Sequence, residues 1–431
     1  IYNLGKSNNV LVNESTFENN TINAPGRSII SIMNANTVKV ISSEFVENIL
    51  TFDIIHVSGA NDVLINSVFV NNTGGLYGIY SDVSNVLVED SIFTGNTVDH
   101  NIVQIMGSIL LENYTYIISG CTFTENTAEN VVYDFNQKLS VLESTFTANT
   151  LSGDGALYIT SKMNSTVDNC VFTDNNADNY RNIYSDNPNV KITNTVFDAM
   201  NVDFSVYDID YGQNETIEGT IDIGTNLNFT VNLKVDSKTY SVNVTDNKFT
   251  HNVKRPSAGD HTVVLNAEDS NSNSYTIDKI TKIFTVNQVE QLLNVTIKDI
   301  NYGEKLNVTI VANKPNNVVF ELNGKTYTNE TLQNLILAAG DYLIVAKSSG
   351  DKNYLPATAF VHVKVHKIAP VITVSDAEGN YGDEIKVDVS VSAPDYYTVF
   401  IGDKSVSLYV EDKATFTFNG TDFKPGTHEI K

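Results

Sequence analysis

The stretch Ser67-Val68-Phe69-Val70-Asn71-Asn72 carries a short motif: a small polar residue or Cys, any residue, Phe, two further residues and Asn. Eight copies occur in the first half of the chain, and the last, Thr195-Val196-Phe197, lacks the Asn. Successive Phe residues lie 28, 24, 24, 30, 23, 26 and 25 positions apart. A period of this size is typical of a solenoid, in which each repeat packs on its neighbours.

The residues between the motifs indicate which kind of solenoid this is. Short β-branched runs such as Val86-Leu87-Val88 precede the motif, runs such as Ala156-Leu157-Tyr158-Ile159 follow it, and turn residues separate them. Helical repeats usually need 33 residues or more, and no leucine-rich consensus recurs. The sequence therefore predicts a parallel β-helix of about eight coils over residues 1–203, with two clear strands and a short third strand in each coil.

Stacked coils would place equivalent residues above one another, ~4.8 Å apart. We expect the Phe residues to form an internal column and the Asn residues to line one turn, where Asn tolerates left-handed backbone. Both sets are predicted to be structural rather than ligand-binding. They are Phe17, Phe45, Phe69, Phe93, Phe123, Phe146, Phe172 and Phe197, with Asn20, Asn48, Asn72, Asn96, Asn126, Asn149 and Asn175.

The two cysteines fit this register. Cys121 and Cys170 each lie two residues before a Phe, and the coil of Ser144 separates them. Two coil steps correspond to ~9–10 Å, which exceeds the ~7 Å limit for a disulfide. We therefore predict two separate, buried thiols.

The second half of the chain follows a longer period. Three units open with a Tyr-Gly turn, at Tyr211-Gly212, Tyr302-Gly303 and Tyr381-Gly382, and continue with alternating apolar and polar residues. Such alternation is typical of sandwich strands with one buried face. The sequence predicts Ig-like domains at 204–290, 291–367 and 368–431, the third apparently truncated. Because both ends of the sequence fall inside a repeat, we expect it to be a segment of a longer protein.

The Phe-x-x-Asn coils and the segments Gly74-Gly75-Leu76-Tyr77 and Gly153-Asp154-Gly155-Ala156-Leu157 resemble the repeats of chlamydial polymorphic outer-membrane proteins. The Asn- and Thr-rich, acidic, Trp-free composition, followed by Ig-like units, is similar to adhesin-like surface proteins of methanogenic archaea. This resemblance implies a right-handed, pectate-lyase-like β-helix, a cell-surface location outside the cell and a carbohydrate partner. Lyases, hydrolases and tailspikes share that fold, so the fold alone does not give the function.

The formal net charge of −24 excludes nonspecific nucleic-acid binding, which needs a basic surface. No apolar run approaches the ~20 residues of a membrane span, so we expect none in this segment. Twelve Asn-x-Ser/Thr sequons make N-glycosylation possible. They begin at Asn13, Asn19, Asn71, Asn113, Asn164, Asn214, Asn228, Asn243, Asn294, Asn307, Asn329 and Asn419.

Candidate catalytic and metal-binding residues are few. Asp90 and Glu143 occupy the same turn position in their coils, but the coil of Gly120 lies between them, so no carboxylate pair suited to acid–base chemistry emerges. Asp208 and Asp210 are weak candidates for a Ca²⁺ site near the end of the β-helix, and simple turn chemistry accounts for them equally well. We predict no enzyme activity and no cofactor.

The function predicted from the sequence is a non-enzymatic, adhesin-like surface protein, with a β-helix that binds carbohydrate or another cell surface and an Ig-like stalk. Two alternatives remain open. The chain could be a structural subunit that self-associates into an extracellular filament or surface layer through unpaired strand edges. It could also be a polysaccharide-degrading β-helix enzyme.

Overall fold

The computed structural model describes residues 1–4, 8–107, 114–160 and 163–431. The chain divides into two compact units, Ile1–Gln288 and Val289–Lys431. The predicted boundary between residues 203 and 204 lies inside the first unit, which holds the β-helix and the first sandwich. Nearly all regular structure is β, as the Val-, Ile- and Thr-rich runs predict.

The first sheet of the β-helix is parallel and has one strand per coil, and its inward side chains are mostly Ile and Val. Its outward face carries the candidate site described below. The eight strands in spatial order are Tyr2–Asn3, Ile30–Met33, Ile55–Ser58, Ile79–Asp82, Asn101–Met106, Asn130–Phe135, Leu157–Ile159 and Ile183–Ser185.

Two further sheets complete each coil. The second carries the Phe motif and the β-branched run before it. Its strands are Asn9–Asn13, Thr16–Glu18, Thr37–Val46, Asp62–Val70, Asn85–Glu89, Ile92–Thr94, Thr115–Ser119, Thr122–Thr124, Lys138–Leu142, Thr145–Thr147, Thr166–Asp168, Val171–Thr173, Lys191–Thr193 and Val196–Asp198, with Ser274–Thr276 added. The third sheet has two-residue strands: Thr21–Ile22, Ile49–Leu50, Thr73–Gly74, Thr97–Val98, Thr127–Ala128 and Thr150–Leu151.

The solenoid has about seven turns, in agreement with the prediction of about eight coils. After Phe197 the chain leaves the coil path, because Met200–Ser205 pairs antiparallel with Glu215–Asp222 in the first sandwich. That sandwich returns Ser274–Thr276 to pair with Val196–Asp198, which places buried Tyr275 next to Phe197. The end of the aromatic column is therefore covered by a residue far along the sequence.

The first sandwich contains eight strands arranged around a core that is continuous with that of the β-helix. Ile209–Asp210, the short strand that leads into the turn Tyr211-Gly212, pairs in parallel with the last strand of the sandwich, Thr281–Asn287. In spatial order the strands are Met200–Ser205, Glu215–Asp222, Lys248–Val253, Lys238–Thr245, Phe229–Val235, Gly259–Leu265, Thr281–Asn287 and Ile209–Asp210.

The second unit holds two separate hydrophobic cores. The first is formed by Leu293–Ile297 with Val308–Ala312, by the sheet Ile300–Asn301, Ala357–His366, Gly340–Ser348, Val318–Leu322 and Lys325–Tyr327, and by the α-helix Asn329–Gln333 and the 3₁₀ turn Pro315–Asn317. The second is formed by Ile372–Val374, Glu384–Val391 and Lys413–Asn419, by the hairpin Asp395–Ile401 with Lys404–Val410, and by the 3₁₀ turn Gly420–Asp422. The predicted fold class, an all-β parallel β-helix followed by Ig-like β domains, is confirmed.

Candidate binding face of the β-helix

The eight Phe rings of the motif form one column inside the β-helix. Neighbouring ring centroids are 4.6–5.4 Å apart and the rings are parallel to within 11°. Seven of the rings are buried, and Phe17 in the first coil is half-buried. Because the column lies inside the solenoid, these rings face no ligand.

The seven Asn residues of the motif form a hydrogen-bonded ladder beside the column. In the middle of the ladder, the Asn96 side chain accepts hydrogen bonds from the backbone N–H and the Nδ2 of Asn72. It donates to the carbonyl oxygen of Phe69 and to Oδ1 of Asn126, at 2.9 and 3.0 Å. The ladder continues to Asn175, whose Nδ2 donates to Oδ1 of Asn182.

The prediction that the motif Asn residues occupy the left-handed position of the turn is wrong. None of the ladder Asn residues has a positive φ; the residue before each of them does. The ladder Asn needs ordinary backbone geometry because its side chain points inward and pairs with the next coil. The left-handed residues are Asn19, Glu47, Asn71, Gly95, Glu125, Ala148 and Asp174.

Both cysteines are buried and free. Their thiols donate to carbonyl oxygens of strand residues, as Cys121 does to Val88 at 3.4 Å. Burial raises the pKa of Cys121 to about 12 and that of Cys170 to about 11. Since the thiolate is the reactive form, these are structural rather than reactive thiols.

The candidate catalytic and metal-binding residues remain apart. Asp90 and Glu143 are both exposed turn residues, and Gly120 occupies the same turn in the intervening coil. Asp208 accepts the backbone N–H of Thr285 through Oδ1 at 2.7 Å, and the exposed Asp210 accepts the backbone N–H of Gln213 through its carbonyl oxygen. Across the described ranges, no three His, Cys, Asp or Glu side chains come close enough to hold a metal ion.

The sequons lie on the surface wherever the structure describes them. Asn113 lies outside the described residues. Asn329 is half-buried at the start of the α-helix. The remaining ten are exposed: Asn13, Asn19, Asn71, Asn164, Asn214, Asn228, Asn243, Asn294, Asn307 and Asn419.

The feature that the sequence reasoning missed is a row of rings on the outside of the first sheet. Strand pairing aligns one residue from each of six successive coils on the outer side of this sheet; five of them are rings and the sixth, Gln104, is buried. We call this set the tyrosine row; it consists of His56, Tyr80, Gln104, Tyr133, Tyr158 and Tyr184. Five coil steps give it a length of ~24 Å. The signal was available, because a Tyr lies seven to nine residues after the motif Asn in four of the coils.

Rings within the tyrosine row stack on one another. His56 and Tyr80 have centroids 4.7 Å apart and are parallel to within 3°, and Tyr133 and Tyr158 lie 5.0 Å apart. Tyr184 follows at 4.8 Å from Tyr158. The five rings of the row are each half-buried, so part of every ring is exposed to solvent.

A second set of rings flanks the row, from the turn that precedes each strand. Tyr77 lies 5.4 Å from Tyr80 and is tilted by 35°, and Tyr180 lies 5.6 Å from Tyr184 with a tilt of 34°. Tilted rings are less completely covered by their neighbours than parallel ones. The face therefore offers both ring edges and partly open ring faces. The flanking rings are Phe52, Tyr77, His100 and Tyr180.

Carboxylates border the same face. Oδ2 of the buried Asp53 lies 2.8 Å from Nδ1 of His56, and burial raises the pKa of Asp53. Oε2 of Glu129 lies 3.0 Å from Nδ1 of His100. Asp186 accepts the Tyr184 hydroxyl at 2.8 Å and thereby raises the pKa of that phenol to about 12. The face thus combines apolar rings, phenol hydroxyls and hydrogen-bond acceptors, with a negative potential.

One buried acid inside the β-helix gives a test of pH dependence. Asp134 lies between Ile105 and Ile159 in register, and burial raises its pKa well above the usual range, opposed by a backbone hydrogen bond from Gln137. The Asp134 carboxyl group stays protonated in the folded state, whereas in the unfolded state it loses its proton above about pH 4. The free energy of unfolding should therefore fall as the pH rises above about 4, until the pH passes the raised pKa of the folded state.

We expect Asp134→Asn to remove this decline, so that its stability relative to the native protein grows between pH 5 and pH 8. Urea denaturation followed by circular dichroism at both pH values measures it. Asp90→Asn, at an exposed turn, is the control. An equal offset of Asp134→Asn at both pH values would show that Asp134 is ionised in the fold.

No protein-family model and no curated protein matches this sequence. Among solved structures, the chain is similar to latent PorU from Porphyromonas gingivalis at 10% identity, over 50% of this chain and 29% of PorU, with a TM-score of 0.17. It is similar to fibronectin(III)-like modules of CbhA from Clostridium thermocellum at 14% identity, over 38% of this chain and 94% of the modules, with a TM-score of 0.16. It is similar to a bacterial ice-binding adhesin at 14% identity, over 52% of this chain and 88% of the adhesin chain, with a TM-score of 0.15.

Proposed function

We propose that this chain is an extracellular, adhesin-like binding protein and that its β-helix binds carbohydrate through the tyrosine row and its flanking rings. The observation that carries the proposal is the alignment of four Tyr and one His on one outward face. The ring surfaces can pack against the apolar C–H faces of a sugar, while the phenol and carboxylate oxygens can accept hydrogen bonds from its hydroxyl groups. A row of ~24 Å suits a polymer better than a single sugar.

The charge of the face selects among polysaccharides. Asp53, Glu129 and Asp186 border the rings, and the whole chain carries a formal charge of −24. A polyanionic sugar would meet like charge at Glu129 and Asp186, which lowers both its association rate and its affinity. We therefore propose a neutral or basic glycan.

In the described parts of the chain, no helix is long and apolar enough to cross a membrane.

The test is binding of the purified chain to immobilised neutral, basic and polyanionic glycans. We expect binding to neutral or basic polymers, and a loss of at least about tenfold in affinity for Tyr158→Ala, since aromatic hot-spot residues contribute about 2 kcal/mol or more and about 1.4 kcal/mol corresponds to tenfold. Tyr207→Ala is the matched control, because Tyr207 is 66% exposed and lies outside the tyrosine row.

Two outcomes would contradict the proposal. One is the absence of binding to every neutral and basic glycan by a protein that melts cooperatively. The other is binding that Tyr158→Ala and Tyr133→Ala leave unchanged. Tyr158→Phe, measured alongside, separates the contribution of the ring from that of the hydroxyl group.

We infer also that the bound glycan is not cleaved. The support is the separation of Asp90 and Glu143 by one intervening coil, which does not place these two carboxylates as a pair across a common bond. Incubation with the glycans that bind, followed by an assay for new reducing ends, tests this inference. Product formation that Asp90→Asn abolishes would contradict it.

A further inference from the structure

We propose, on the premise that the tyrosine row binds a glycan as proposed above, that this glycan carries free amino groups. One of its ammonium groups binds to the carboxylate of Glu129, beside the hydroxyl groups of Tyr133 and Tyr158. An ammonium group brings three N–H donors and a positive charge. The surroundings of Glu129 offer acceptors and a negative potential, and the chain supplies no cation of its own there.

Glu129 lies in the middle of the candidate face. It belongs to the turn just before the strand Asn130–Phe135, and its backbone N–H donates to the carbonyl oxygen of His100 in the preceding coil. The tyrosine row runs beside this turn, with Tyr133 in the same coil and Tyr158 in the next. The Glu129 side chain is 47% exposed. A polymer that lies along the row would therefore pass this carboxylate.

One oxygen of the Glu129 carboxylate is held in place and the other is available. Oε2 lies 3.0 Å from Nδ1 of His100, which fixes the position of the side chain. Within the described residues, Oε1 makes no hydrogen bond, and no Lys or Arg pairs with Glu129. Since a carboxylate accepts through both oxygens, Oε1 can accept from a donor on a ligand.

The negative charge of Glu129 reaches phenols on both sides of it. Burial is the largest cause of the raised pKa of Tyr133 and of Tyr158, and nearby negative charges, that of Glu129 among them, add to it. The pKa of Tyr77 is raised in the same way. In the described parts of the chain, the hydroxyl groups of Tyr133 and Tyr158 make no hydrogen bond. Their oxygens can therefore accept from the same ammonium group.

The turn beside Glu129 leaves its carboxylate uncovered. The next coil continues with Gly153, whose N–H donates to the carbonyl oxygen of Glu129 at 2.9 Å. A Cβ atom at Gly153 would lie 2.7 Å from that oxygen and 3.0 Å from Cγ of Glu129. Glycine allows this close approach and adds no side chain over the carboxylate. The flanking rings are also absent from these two coils, since they resume only at Tyr180.

The cations of the chain are placed elsewhere. Within the described ranges, a cation lies over a ring at Tyr2, Phe204 and Tyr240, none of which belongs to the tyrosine row or its flanking rings. Arg181, next to Tyr180 in the sequence, is buried and pairs with Asp198 and Asp222. The negative potential of the face is therefore left to attract a cationic ligand.

The chemistry of the ligand follows from these contacts. A primary ammonium group can donate to Oε1 of Glu129 and to a phenol oxygen at the same time, and hydrogen bonds to a charged group are the stronger kind. An N-acetylated sugar presents one amide N–H and no charge at the same position. We therefore expect the face to prefer the free amine over its acetylated form.

The test compares two oligosaccharides that differ only in this group: a glucosamine hexamer with free amines and the same hexamer fully N-acetylated. Isothermal titration calorimetry uses the whole chain, in a buffer acidic enough to keep the amines protonated. We expect the amino hexamer to bind at least about tenfold more tightly, and added NaCl to reduce this preference. Equal affinities, with both lost in Tyr158→Ala, would overturn the ammonium site and leave the glycan face standing. Binding of neither hexamer by a folded chain would contradict both.

Matched charge variants test the role of Glu129. Glu129→Gln keeps the size of the side chain and should weaken binding of the amino hexamer about tenfold, with less than about a twofold change for the acetylated hexamer. Glu125→Gln makes the same change in net charge at an exposed turn of the same coil, away from the tyrosine row, and should leave both affinities unchanged. Equal losses in the two variants would assign the preference to net charge and overturn the proposal.

The position of the amine is tested by carbodiimide coupling, which joins an amine directly to a carboxylate that it contacts. We expect peptide mass spectrometry to find the amino hexamer on Glu129 in preference to Glu125 and Asp90, which are exposed on other turns. The acetylated hexamer should not be coupled. Coupling to Glu125 or Asp90 as often as to Glu129 would overturn the assignment.

Discussion

Replacing Phe123 by alanine is expected to lower the free energy of unfolding by about 3–5 kcal/mol, as for other buried aromatic truncations. Phe123 is fully buried and stacks on Phe93 at 4.8 Å and on Phe146 at 4.9 Å. The substitution leaves a cavity in the middle of the column, where strands on both sides hold the coils at their spacing and prevent collapse. Urea denaturation followed by circular dichroism measures the change.

The matched control is Phe17→Ala. Phe17 makes the same kind of stack, at 4.9 Å, but on Phe45 alone, and it is half-buried in the first coil. We expect this substitution to cost about half as much or less. A loss below about 1 kcal/mol for Phe123→Ala would mean that the column does not stabilise the fold.

Much of the β-helix was predictable because its inward positions repeat. A residue that packs on its own copy in the next coil is constrained to the same type, so Phe69 and Phe93 mark the period directly. The two sulfur positions followed from the same register. The left-handed position was not predictable in this way. Glu47, Gly95 and Ala148 share a backbone conformation but no side-chain chemistry.

The end of the solenoid depends on contacts that no local pattern reports. Tyr275 continues the Phe column from 78 positions after Phe197, and its hydroxyl donates to Asp269 and to the carbonyl oxygen of Thr230. Nearby, the buried Arg181 bonds to Asp198 and Asp222. A side chain that makes contacts in one coil only leaves no period in the sequence, so these contacts were not predictable from the repeats.

The candidate sites lay beyond sequence reasoning for a different reason. Outward residues of the first sheet need not repeat, and Gln104 interrupts the rings between Tyr80 and Tyr133. The Tyr-Gly turns, by contrast, were visible as repeats. Their structural role follows from hydrogen bonds that the repeats do not indicate: the backbone N–H groups of Tyr211 and Tyr302 donate to carbonyl oxygens of the last strand of their domains.

The second large effect is expected for Asn96→Ala in the asparagine ladder. The substitution removes four side-chain hydrogen bonds in a buried site. The backbone N–H and Nδ2 of Asn72 and the carbonyl oxygen of Phe69 each lose a partner, while Oδ1 of Asn126 keeps the backbone N–H of Asn96. At about 1–3 kcal/mol for each of these three groups, we expect a loss of at least about 3 kcal/mol.

Asn20→Ala is the matched control, because Asn20 is exposed and its side chain makes one ladder bond, from Nδ2 to Oδ1 of Asn48. We expect that change to cost less than about 1 kcal/mol. Asn96→Asp separates hydrogen bonding from packing: it keeps the volume but, when ionised, cannot donate to Phe69 or Asn126. If Asn96→Asp at neutral pH were as stable as the native protein, the ladder's donors would contribute nothing, and the recurrence of Asn would need another cause.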